Sequence, residues 1–229
     1  ENAEYLCDFS NTYCQFDEED WERVRSSVRA CKVLYFLRDP VSRLWSHLNF
    51  HHHYGGRALE HAGLSVRDYE QLLCEPVFRQ QSLYGQNFNR VHRVFDRDAV
   101  KLVFTDEIQE RPLELLTDIE AWVGVSHQDI DEGRARQVIN AAAGNNAMPP
   151  EFVLASRRIV EDSFDDMSAA GIEYPETWFS SWRCLLEWAS AAQKRDYIRE
   201  IKAALPPVAR RPLGLVYHRL LGSRSRNVE

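Results

Sequence analysis

The stretch "KVLYFLRDPVSRLWSH", Lys32 to His47, decides the fold. Val33 to Leu37 is a short, bounded apolar run of the kind that forms a buried strand. Asp39 and Pro40 then spell a helix start: an Asx N-cap, with proline at the first helical position, where the missing N–H costs nothing. Val41, Leu44, Trp45 and Leu48 recur at i, i+3, i+4 and i+7, so one face of that helix enters a core. Arg43 and Ser46 lie on another face, and Arg38 stands at the strand's exit. A strand end, a helix N-terminus, a guanidinium and a hydroxyl together make a place for an anion such as a phosphate.

Outward from this unit, strands and helices alternate. "EYLCDF", Glu4 to Phe9, reads as a strand, and Asp17 to Cys31 as a helix with Trp21, Val24 and Val28 at helical spacing. Beyond the loop "YGGRALEHAG" come helices around Val66–Cys74 and Ser82–Phe95. The β-branched "AVKLVFT", Ala99 to Thr105, is a third strand, and "RPLELLTDIEAWVGV" an amphipathic helix ending at a glycine. Strands joined through helices predict a mainly parallel sheet, with Val33–Leu37 and Val100–Thr105 neighbours or near-neighbours and Arg38 at the sheet's C-terminal edge. From Ser126 onward the pattern is almost wholly helical, broken at Asn145 to Pro150.

Composition narrows the function classes. The 229 residues are 44% hydrophobic, enough for a substantial core. A net charge of −7 argues against a nucleic-acid surface, so any anion site must be built locally from a few arginines. Cys7, Cys14, Cys31, Cys74 and Cys184 are odd in number and never form C-x-x-C, which indicates reduced thiols rather than a zinc cage or disulfide framework. No apolar run approaches ~20 residues, so a cytoplasmic location is the expectation.

"LRDPVSRLWSH" resembles the 3′-phosphate-binding motif of sulfotransferases that use 3′-phosphoadenosine 5′-phosphosulfate: an apolar strand, R-[DN]-P, then an arginine and a serine in the next helix. Arg38 and Ser46 fall on the two 3′-phosphate ligands of that motif. "CDFSNTY" is similar to the family's G-E-[KF]-[TS]-P-x-Y segment, with Asp8 at the carboxylate and Asn11 in place of proline. "SLYGQNFNRVHRVFDRDAVKLVFTDEIQERPLELLTDIEAWVGV" and "AGIEYPETWF" resemble later family segments, so the likeness runs from about Leu6 to Trp182.

The resemblance implies an α/β, P-loop nucleotide-kinase-like three-layer fold with a central parallel sheet. It also implies transfer of a sulfuryl group from the nucleotide co-substrate to a hydroxyl acceptor, a carbohydrate in the carbohydrate-type and bacterial branch. One departure stands out. The family's loop for the 5′-phosphosulfate has no counterpart here: there is no K-x-G-T-[ST] and no G-x-x-x-x-G-K-[ST]. The resemblance thus implies a fold incomplete at its N-terminus, a fragment inactive alone, with residues 1–182 as the sulfotransferase-like domain and 183–229 as a helical extension. The competing function is a non-catalytic sulfotransferase-like domain that holds nucleotide or glycan without turnover. A P-loop kinase is disfavoured by the absent Walker loop.

Sulfuryl transfer needs a general base near the acceptor. Asp8, expected near the end of the first strand, is the candidate, with a plain surface or structural carboxylate as the alternative. An Arg38–Asp39 ion pair that only caps a helix competes with the phosphate site, and Arg43 reads as a salt-bridging strut. His47 and His51 lie four apart, but the glutamate of H-E-x-x-H is missing, so no metal is expected. Trp21, Trp45, Trp122 and Trp188 read as core; Trp178 and Trp182 either line an acceptor pocket or pack helices. The basic, apolar tail with Arg210, Arg211, Arg219, Arg224 and Arg226 would fit an anionic membrane surface, or pack back on the domain.

Overall fold

Asp17 and Asp20 exchange side-chain and backbone hydrogen bonds as a capping box, and this fixes the start of the first helix, α1 (Glu18–Ser27). It stops four residues short of the expected Cys31. Ser26 and Ser27 turn their hydroxyls back to the carbonyls of Glu22 and Arg23, and Val28 is extended. The computed structural model describes residues 6–54, 59–127, 129–137 and 147–204. After α1 come β1 (Val33–Leu37), α2 (Pro40–Tyr54), α3 (Val66–Leu72), α4 (Pro76–Gln80), α5 (Tyr84–Val94), β2 (Val100–Phe104), α6 (Thr105–Glu110), α7 (Pro112–Val123), α8 (Glu132–Ala135), α9 (Pro150–Ala169) and α10 (Glu176–Ala204).

β1 and β2 are parallel and directly bonded, in register from Val33–Val100 to Leu37–Phe104. Arg38 leaves the C-terminal edge of this sheet, as expected. The expected strand Glu4–Phe9 does not form over its described part. Residues 6–9 are irregular, with Leu6 93% and Phe9 91% exposed. A strand needs a neighbour for its ladder and a face to bury, and among the described residues the segment 6–9 has neither. Among the described residues the sheet therefore has two strands. Leu37 and Tyr35 join the helical core, whereas Phe36 on the opposite face is 44% exposed.

α9 is the pillar of the helical core. Pro149 and Pro150 start it, and Phe152, Val153, Ser156, Val160, Ser163, Phe164 and Met167 form its buried stripe. Against it pack α2 through Val41, Leu44 and Leu48, α3 through Tyr69, and α10 through Trp178, Trp182 and Ala189. Each fully buried aliphatic side chain contributes roughly 1.5–3 kcal/mol. α10 runs unbroken across positions 182 and 183. A second cluster holds α1 to α5: Trp21 meets Phe95 edge-on at 5.9 Å, beside Val91 and Val100. α7 ends where Gly124 adopts φ +87°, the left-handed C-cap expected of that glycine.

Trp188 departs from the expected core set. It is 45% exposed, because Ala189 occupies the buried position seven residues after Trp182. The basic tail, Asn145, Asn146 and the "GG" of the loop after α2 lie outside the described residues.

Candidate functional site

The exit of β1 and the start of α2 are built by Asp39. Its Oδ1 accepts from the Ser42 amide at 2.8 Å and its carbonyl from the Arg43 amide at 2.9 Å. This is the N-cap that the Asp-Pro pair predicts. Oδ2 of the same carboxylate is buried without a hydrogen-bond partner. Burial raises the Asp39 pKa; the Ser42 bonds and the Arg38 charge oppose this, and Asp106 adds to it. Asp39 and Asp106 each stand two residues past the final register pair, Leu37–Phe104.

Arg38 is exposed, and among the described residues no hydrogen bond or ion pair occupies its guanidinium. Its backbone is the fixed part: the buried Tyr84 hydroxyl donates to the Arg38 carbonyl at 3.0 Å. Asp39 spends Oδ1 on the helix cap rather than on Arg38, which leaves the guanidinium available to an anion. Ser46 is half-buried one turn beyond Ser42, on the side of α2 away from Val41, Leu44 and Leu48.

Arg43 has a different environment. One terminal nitrogen donates to the Ser82 hydroxyl and, at 3.4 Å, to the Phe78 carbonyl; the other lies 3.2 Å from His47 Nδ1. Its guanidinium also stands 6.0 Å from the centre of the Tyr84 ring, and its Nε is buried without a partner. Arg43 is thus a strut between α2 and the α4–α5 connection. Its partners among the described residues are neutral, so it braces by hydrogen bonding rather than by the expected salt bridge.

Asp8 is exposed and accepts from the Tyr13 hydroxyl at 2.6 Å, a bond that raises the Tyr13 pKa. Tyr13 packs with Phe16 and Trp21, so Asp8 is tied to the α1 cluster. No hydrogen bond among the described residues links it to Arg38 or Ser46. His47 and His51 both face α4. His47 packs on Phe78 at 4.7 Å and is pushed down to about 4, chiefly by burial and then by the Arg43 charge. His51 lies 3.2 Å from Glu75. Among the described residues no three His, Cys, Asp or Glu side chains converge as a metal group, and no helix is long and apolar enough to cross a membrane.

Two contacts escaped the sequence reading. The Trp178 indole donates to both Asp106 oxygens, at 3.1 and 3.0 Å, so α10 is latched to the sheet's C-terminal edge. Trp178 and Trp182 are buried in helix packing. Tyr84 lies inside the quoted "SLYGQ", but its reach back to Arg38 has no local signal.

No family model matches this chain, and no curated protein matches it. A solved structure does: the crystal structure of a sulfotransferase from Alicyclobacillus acidocaldarius is similar, with a TM-score of 0.52 and 22% identity over 75% of this chain. The chain spans 65% of that sulfotransferase's length. At this identity the likeness is one of fold: a helix-rich α/β arrangement around a small parallel sheet.

Proposed function

We propose that this chain is the 3′-phosphate-binding part of a sulfotransferase that uses 3′-phosphoadenosine 5′-phosphosulfate and sulfates a hydroxyl, most naturally on a carbohydrate. The observation that carries the reading is the Arg38 guanidinium, uncommitted among the described residues, at the exit of a parallel strand and beside the capped N-terminus of α2, in a sulfotransferase-like fold. A 3′-phosphate carries close to two negative charges near pH 7. Arg38 offers it a bidentate grip, Ser46 a hydroxyl, and α2 the positive end of its dipole.

The chemistry is in-line displacement. An acceptor oxygen bonds to sulfur while the bond from sulfur to the bridging phosphate oxygen breaks, and its electron pair leaves on the 5′-phosphate. A base takes the acceptor proton, and Asp8 is the candidate within this chain. The charge developing on the bridging oxygen calls for a basic loop residue. In the three-layer nucleotide-kinase-like domain we propose, that residue belongs to the loop for the 5′-phosphosulfate, and no residue of the 229 matches it. A nucleotide-holding domain without turnover would share the Arg38 contact and differ only in lacking that loop.

The test is calorimetry with 3′-phosphoadenosine 5′-phosphate and 5′-AMP. Arg38→Ala should weaken the first by about 30–150-fold, or 2–3 kcal/mol, and leave the second nearly unchanged. Ser46→Ala should cost about 1–2 kcal/mol on the first alone. Equal losses on both nucleotides would make Arg38 structural and remove the basis of the proposal.

A further inference from the structure

We propose that Tyr84 is a positioning residue for Arg38: its buried hydroxyl holds the Arg38 carbonyl and so aims the guanidinium at the 3′-phosphate. The inference rests on the anion-site reading of Arg38 and adds a residue from a different helix, 46 positions away in sequence.

An exposed arginine at a strand exit is free along its whole side chain, so its aim depends on how its peptide is held. One side of that peptide is fixed by Asp39, whose carboxylate caps α2. The Arg38 carbonyl is fixed by Tyr84, at 3.0 Å. Tyr84 is itself anchored at both ends. Its ring is buried and lies near the Arg43 guanidinium, which Phe78 of α4 and Ser82 beyond it hold in place. Its backbone opens α5, whose next two amides, of Gly85 and Gln86, donate to Asp166 Oδ2 at 2.6 and 3.2 Å. Asp166 belongs to α9, the central helix of the core, so the hydroxyl is tied to the helical core. Burial keeps the phenol protonated, its pKa pushed up to about 12, so the donor persists across the neutral range.

Tyr84→Phe keeps the ring and removes only this hydroxyl. The loss of this one part-buried hydrogen bond should lower the melting temperature by only about 2–4 °C. Affinity for 3′-phosphoadenosine 5′-phosphate should fall about five- to ten-fold, the worth of one hydrogen bond used for orientation. Affinity for 5′-AMP should not change. In an Arg38→Ala background the further loss from Tyr84→Phe should vanish, because the phenol acts only through that arginine.

The outcomes separate the two claims. If wild type does not prefer the 3′-phosphorylated nucleotide, or does not bind it at all, the anion-site reading falls and this inference with it. Suppose the preference exists and Arg38→Ala abolishes it. Tyr84→Phe that is silent, that weakens both nucleotides equally, or that adds fully to Arg38→Ala then overturns the positioning role alone.

Discussion

Replacing Arg43 separates a strut from a ligand within a single motif. Arg43→Ala deletes the hydrogen bonds to Ser82 and Phe78, the contact with His47 and the cation near the Tyr84 ring. One hydrogen bond from a charged donor is worth roughly 1.5–3 kcal/mol, and a cation–π contact roughly 0.5–2. Against this stands the buried, unpartnered Nε, whose desolvation cost the variant recovers. Ser82 keeps its own bond to the Phe78 carbonyl at 2.7 Å, so no new orphan hydroxyl is created. The net loss should be about 2–3 kcal/mol, or roughly 4–12 °C in melting temperature for a chain of this size. Arg43→Met keeps the length and drops the charge; since buried charges are often replaceable by well-packed apolar groups, it should cost only about 0–1 kcal/mol. It should also let the His47 pKa rise, because the Arg43 charge is one cause of its depression. Urea and thermal unfolding of the three proteins, with calorimetry on the nucleotide, measure all of this. If Arg43→Ala melts with wild type yet loses nucleotide affinity, Arg43 is a ligand and the strut argument is wrong.

Gly85→Ala would set its Cβ 2.2 Å from the Asp166 carbonyl oxygen and 2.8 Å from Ala170 Cβ, backbone and short-side-chain atoms that cannot swing aside. Overpacking should outweigh the ~1 kcal/mol gain in helix propensity and leave a net loss of about 1–3 kcal/mol; a variant as stable as wild type would mean that α5 and α9 sit further apart. His47 is neutral in the folded chain down to about 4, while an ordinary imidazole titrates near 6.5, so between these values the unfolded state binds the extra proton. Stability is therefore full above pH 6.5 and is lost as the pH falls toward 4, by about 1–2 kcal/mol after discounting for partial solvent screening. Urea midpoints at pH 7 and 4.5 should differ less in His47→Gln than in wild type, and an unchanged difference would clear His47 of any part in the acid sensitivity.

What the sequence displayed and what it hid divide along the range of each interaction. The strand from Val33, the Asp39 cap, the buried face of α2 and the glycine that ends α7 all depend on neighbours within a turn or two, and each is where its local signal put it. The strand expected at Glu4–Phe9, irregular over its described residues 6–9, had suitable residues, but pairing is not a property of one segment. Trp188 has a core-type side chain, yet the register of α10 gives the buried face to Trp182 and Ala189. The contacts that shape the site are long-range: Arg43 to Phe78 and Ser82, Tyr84 to Arg38, Trp178 to Asp106 across 72 positions. Arg38 and Arg43 make the point sharply. They carry the same charge, five residues apart in one motif, and composition cannot tell them apart. Arg38 precedes the cap and leaves the sheet where, among the described residues, no hydrogen bond or ion pair meets its guanidinium; Arg43 follows one turn into the helix, where the α4–α5 connection closes on it. A cation whose hydrogen bonds are already spent inside the fold has little left for a phosphate. It is the neighbours of the two arginines, rather than their identity, that set what each guanidinium meets in the fold.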